Sequence, residues 1–135
     1  MILSLNRMKW RKGMMENNVL FNLDGKELII EHLYTVEEYF TFTVRVKSGQ
    51  FAGSSNFCMP KDEIISLIQT LTVMDKELKG ICKVRDFDSD ASFVIDMDKY
   101  GHVNIYGQIG GSYEDNNLKF KCAVDQTIIV RFIPI

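Results

Sequence analysis

The segment from Pro60 to Gly80 most constrains what this chain can fold into, because it alone carries helical periodicity in a sequence that otherwise alternates with period two. Ile64, Leu67, Ile68, Leu71, Met74 and Leu78 recur at spacings of three and four, which gathers them into one apolar stripe. Pro60 presets φ where a first helical residue has no use for its N–H, and it keeps Met59 out of the α region. Asp62 and Glu63 sit in the first turn and Lys76 and Lys79 in the last, each sign matched to the helix dipole. Gly80 offers a left-handed stop. Burying six large apolar side chains contributes roughly 1.5–3 kcal/mol each before chain entropy is counted.

The rest reads as strands. Residues 18–23 form an apolar run closed by Asp24-Gly25, the pattern of a type I′ hairpin turn. Residues 28–34 return, 35–38 connect, and 39–47 alternate most cleanly, with Phe40, Phe42, Val44 and Val46 on one side. A weaker strand is expected at 51–57, interrupted by Gly53. Beyond the helix, strands are expected at 81–87, 92–97, 102–109 and 118–124. The tail 127–133 is rich in Ile and Val, which favours strand, yet Asp125 could cap a short helix, and both remain open. Hairpins on both sides of one helix define an α+β fold. We expect a curved, mostly antiparallel sheet of about seven to eight strands, with one main helix at about 60–79 packed on one face. Partial barrel closure is compatible with that many strands.

The 135 residues suffice for one domain with a substantial core. Residues 1–13 read as a flexible N-terminal extension and 14–135 as a single α+β domain, with Met14-Met15 as an alternative start. That extension holds Arg7, Lys9, Arg11 and Lys12 and no acid. Without those four the chain has twelve basic against eighteen acidic residues, a net charge of about −6. Such a body opposes direct binding of nucleic acid and would help to steer in a basic protein partner. Cys58, Cys82 and Cys122 are odd in number and widely spaced, as expected of reduced thiols in the cytoplasm. No window approaches the ~18 apolar residues of a membrane span, and no secretory leader is evident.

No set of residues points to catalysis. His32 and His102 both fall in expected strands rather than in a loop cluster, and Cys58 and Ser54-Ser55 lack the context of a nucleophile. Asp86, Asp88 and Asp90 resemble the opening of a calcium loop. That template wants Gly where Ala91 stands and Glu where Met97 stands, so an acidic turn or a protein-binding edge fits better. No cofactor and no metal is expected. Tyr and Arg anchor protein interfaces, and Tyr39, Arg45, Tyr100, His102 and Tyr106 are the residues that a docking face would use. A single open sheet face carrying Tyr39, Arg45, His102, Tyr106 and Lys119 would be such a surface.

Three stretches of the second half share a pattern. They are Tyr100-Gly101-His102-Val103-Asn104-Ile105-Tyr106-Gly107, Asn117-Leu118-Lys119-Phe120 and Val124-Asp125-Gln126-Thr127. Together with a leucine-rich helix bearing Pro60, Ile64, Leu67 and Leu71, they resemble the WapI family of immunity proteins over roughly residues 40–130. The resemblance implies a small cytoplasmic bacterial protein that neutralises a polymorphic toxin by binding its C-terminal domain. It implies no catalytic residues, and in that family a terminal helix usually follows the aspartate-glutamine-threonine corner. The expectation is a non-enzymatic protein-binding module of a toxin–antitoxin pair, with a homodimer compatible and with neither nucleic acid nor membrane as partner. Its docking residues are expected among Tyr39, Arg45, Asp86, Asp88, Asp90, Tyr100, His102 and Tyr106. The alternative is a small-ligand binder with a pocket between sheet and helix lined by Phe40, Phe42, Phe93 and Phe120.

Overall fold

A computed structural model describes residues 18–23 and 25–127. The N-terminal extension, the Asp24 half of the first turn and the tail beyond residue 127 lie outside the described residues. Four strands, β1 (Asn18–Leu23), β2 (Lys26–Val36), β3 (Tyr39–Ser48) and β4 (Phe51–Pro60), precede helix α1 (Lys61–Glu77). Four more follow it: β5 (Gly80–Arg85), β6 (Ser92–Met97), β7 (His102–Ile109) and β8 (Leu118–Asp125). All pairings are antiparallel, and the fold is α+β.

The strands divide into two four-stranded meanders, β1-β2-β3-β4 and β5-β6-β7-β8, instead of one continuous sheet, and neither closes. The cause is the helix. It carries the chain out of the first sheet at Pro60, so β5 begins a second sheet rather than pairing along β4. The inner faces then stack, with β3 and β4 against β7 and β8. Phe57 of β4 meets Phe93 of β6 at a ring separation of 5.8 Å, and Phe93 meets Phe120 of β8 at 6.3 Å. Val44, Val46, Ile95, Val103, Ile105 and Cys122 belong to the same buried cluster. Helix α1 inserts Ile64, Ile68, Leu71 and Met74 into that cluster, so it completes a core between two sheets rather than covering one.

The ends of α1 are set by backbone. Pro60 is the N-cap, without a capping side chain. The stop falls two residues before the expected glycine: Leu78 takes the left-handed conformation (φ 58°), and its N–H donates to the Met74 carbonyl at 2.8 Å. Leu78 is thereby exposed and leaves the apolar stripe. Gly80 (φ 134°) instead opens β5, where a Cβ would lie 2.7 Å from Met74 Cγ. At Gly107 a Cβ would lie 2.2 Å from the Ser92 carbonyl oxygen, so here a glycine allows β6 and β7 to approach. At the end of β8, Asp125 Oδ1 accepts the Thr127 N–H at 2.8 Å, which begins a tight turn. The choice between strand and helix for the tail lies outside the described residues.

Candidate functional site

Sequence alternation predicts a strand ending at Tyr34 and a connection at 35–38. In the structure β2 continues to Val36, and Glu37-Glu38 alone turn the chain, with Glu37 at φ 56°. A bulge between His32 and Tyr34 makes the extension possible. His32 lies opposite Phe42, Leu33 is the extra residue, and Tyr34 lies opposite Thr41. Facing residues of an antiparallel pair share a side of the sheet. Tyr34 and Val36 are therefore carried to the outer face that holds Thr41 and Tyr39, while His32 stays on the core side against Phe40 and Phe42. Burial lowers the His32 pKa, a hydrogen bond to the Tyr34 backbone opposes that shift, and Thr35 Oγ1 lies 2.8 Å from Nε2.

The outer face of the first sheet can be read in rows from the hairpin tip: Val36–Tyr39–Pro60, Tyr34–Thr41–Cys58, Glu31–Thr43–Asn56 and Ile29–Arg45–Ser54. The first two rows and the bulge present large apolar groups to solvent, with Tyr34 54%, Val36 60%, Tyr39 50% and Leu33 42% exposed. The next rows are polar. Thr43 Oγ1 donates to Asn56 Oδ1 at 3.1 Å, and Arg45 pairs with Glu31 at 3.5 Å.

The β5–β6 connection joins this surface at the free edge of β4. Asp86 is buried and staples it: Oδ1 accepts the Cys58 N–H at 2.9 Å and the Asp88 N–H at 3.1 Å, and Oδ2 accepts the Ser89 hydroxyl at 2.7 Å. The Phe87 N–H donates back to the Cys58 carbonyl at 2.9 Å, which seats Phe87, half exposed, beside the Tyr34–Thr41–Cys58 row. Arg85 stacks over the Phe87 ring at 5.0 Å. Burial raises the Cys58 pKa, helped by the charge of Asp88. Glu37, Glu38 and Asp88 give this apolar patch an acidic rim.

The sequence-derived docking residues do not form one surface. Tyr39, Asp86 and Asp88 converge on the patch just described, and Arg45 lies farther along the same sheet face. Asp90 is held away from it, its Oδ1 accepting the Ser112 N–H at 2.8 Å, and the Ser112 bonds lower its pKa. Tyr100 and His102 flank the β6–β7 turn with ring centroids 6.5 Å apart. There Asp98 Oδ1 accepts the Tyr100 and His102 N–H groups, and these bonds outweigh its desolvation and lower its pKa. Tyr106 stands on the outer face of the second sheet between Val94 and Lys121. Tyr39 and Arg45 thus share the first sheet, and His102, Tyr106 and Lys119 the second. Tyr34, Val36, Leu33 and Phe87 were not picked out from sequence. The period-two count breaks at the bulge, and Phe87 gains its place only through the pairing of two distant segments.

Phe40 and Phe42 stack at 6.4 Å, and with Phe93 and Phe120 they belong to the buried core. A shallow groove of about 480 Å³ lies elsewhere, lined by Gln69, Thr70, Val73, Glu77 and Ile81 among others. Among the described residues no three His, Cys, Asp or Glu side chains group as metal ligands, and no helix is long and apolar enough to cross a membrane. A family model described as the immunity protein WapI-like family matches residues 16–134. No curated protein and no solved structure matches the chain significantly.

Proposed function

The chain belongs to the immunity protein WapI-like family, and from that membership we propose that it neutralises a cognate bacterial toxin in the cytoplasm by binding the toxin's C-terminal domain without chemistry of its own. The docking surface on this reading is the tip of the β2–β3 hairpin with the adjoining Phe87. The observation that carries it is the exposure of Tyr34, Val36 and Tyr39 together on the outer side of an antiparallel ribbon, with Leu33 exposed at the bulge beside them. Exposed tyrosines on a fixed backbone lose little entropy when covered, and a few such anchors dominate most interfaces. The rim of Glu37, Glu38 and Asp88 would guide a basic active site toward them. Inhibition follows from occlusion, so no cofactor is required.

Co-expression with the toxin domain encoded beside it tests the proposal. The wild-type chain should restore growth and co-elute with the toxin domain in gel filtration. The double variant Tyr34→Ala/Tyr39→Ala should fold normally yet weaken the complex by about 2 kcal/mol per anchor, roughly thirtyfold each. Undiminished rescue and affinity in the double variant would remove this surface from the mechanism, and no complex with the wild type would remove the function.

A further inference from the structure

The outer face of the second sheet differs in kind from the hairpin tip. Of its three full rows, two run Lys83–Val94–Tyr106–Lys121 and Arg85–Ser92–Gln108–Lys119, and the third, Ile81–Asp96–Asn104–Ala123, carries Asp96 beside them. The eight positions of the first two rows hold four cations and no carboxylate, in a chain whose net charge is negative. All four cations are exposed, while the four residues between them are partly buried, Val94 and Tyr106 apolar and Ser92 and Gln108 polar. Among the described residues only Arg85 of the four has a carboxylate within ion-pair distance, Glu63 at 3.9 Å, and the ammonium groups of Lys83, Lys119 and Lys121 have none. Strand spacing and rise put the four at the corners of a rectangle about 14 Å by 7 Å. The short side is within the Debye length of about 8 Å at physiological salt, so the fields of the two cations on each edge strand add, while the pairs across the long side are screened from one another.

We propose that this face is a second docking surface, built to take an acidic polypeptide segment. Four cations around a floor that is apolar at Val94 and Tyr106 match a strand or helix that alternates carboxylates with apolar residues, since the ammonium and guanidinium groups can each meet a carboxylate while Val94 and Tyr106 are covered. Nucleic acid fits less well. Tyr106 is the one aromatic ring in the two rows and is half sunk, so bases have no stacking platform. The inference does not depend on the hairpin tip or on the toxin.

Fluorescein-labelled poly-L-glutamate, titrated into the full-length protein at 50 mM salt, is the probe, with a random duplex DNA of equal charge as competitor. Binding is expected although the protein is acidic overall, and it should weaken at least tenfold by 200 mM salt. The double variant Lys83→Glu/Lys121→Glu should lose at least tenfold in affinity with an unchanged melting profile, and Lys83→Gln/Lys119→Gln should lose less. Arg7→Glu/Lys9→Glu, which alters only the basic N-terminal segment, should change affinity less than twofold. The proposal is overturned by absence of binding, by an equal loss in the N-terminal variant, or by duplex DNA displacing the polypeptide at lower concentration.

Discussion

Asp86 shows how one residue can join two sheets that share no strand pair. The residue is 8% exposed and its carboxylate accepts bonds from Cys58, Asp88 and Ser89, so it holds the β5–β6 connection against the edge of β4. Asp86→Ala would leave the partly buried N–H groups of Cys58 and Asp88 and the Ser89 hydroxyl without their acceptor, at roughly 1 kcal/mol for each. Urea unfolding should show a loss of at least about 2 kcal/mol, with Asp86→Asn recovering more than half because its amide oxygen can still accept. A wild-type midpoint for the alanine variant would mean that Asp86 is not a staple. None of this is written locally in the sequence. Asp86-x-Asp88-x-Asp90 reads there as a solvated acidic turn, because the partner that buries its first member lies twenty-eight positions away.

Among the elements, helix and strands were legible wherever a period was unbroken. Ile64, Ile68, Leu71 and Met74 were readable as a buried stripe, and Phe40, Phe42, Val44 and Val46 as an inward face, because burial follows geometry that repeats. The ends were less legible. Gly80 is the residue best suited to the left-handed stop, yet Leu78 adopts it, since Gly80 is needed where β5 passes Met74. That misfit predicts a stabilising change. Leu78→Gly should raise stability by about 0.5–1 kcal/mol, because the strained side chain is half exposed and contributes little packing. Leu78→Ala should give no such gain, which separates relief of backbone strain from loss of an exposed apolar group; equal midpoints for wild type and glycine variant would refute the assignment.

In the whole molecule, the split into two sheets was not legible, because alternation reports which residues face a core and not whether that core lies under one sheet or between two. The shared core makes stability a property of the entire chain, and its pH dependence has a definite form. The His32 pKa lies below its ordinary value of 6.5, so the unfolded chain binds the proton first and stability falls as pH drops from 6.5 through the folded value. Asp90 and Asp98 lie below 3.8, which adds a second loss as pH falls further through their folded values. On the alkaline side burial raises Cys58, Cys82 and Cys122 above 9, Cys82 to about 12, so unfolded thiols ionise first and stability declines as pH rises above 9. Denaturation midpoints should therefore be greatest between about pH 6.5 and 9, and His32→Gln should flatten the first acid step alone. A profile indifferent to that substitution would show that the imidazole is equally solvated in both states.

The bulge at Leu33 has a consequence for how such a protein can change. Because one surplus residue is absorbed between the His32–Phe42 and Tyr34–Thr41 pairs, its removal would leave every pair on either side intact and alter only the bend of the ribbon. Loss of that one codon would swing the tip to a new aim while Tyr34, Val36 and Tyr39 still stood on its outer face. A lineage pressed by a shifting opponent could thus retarget its grip without touching the interior that keeps it folded.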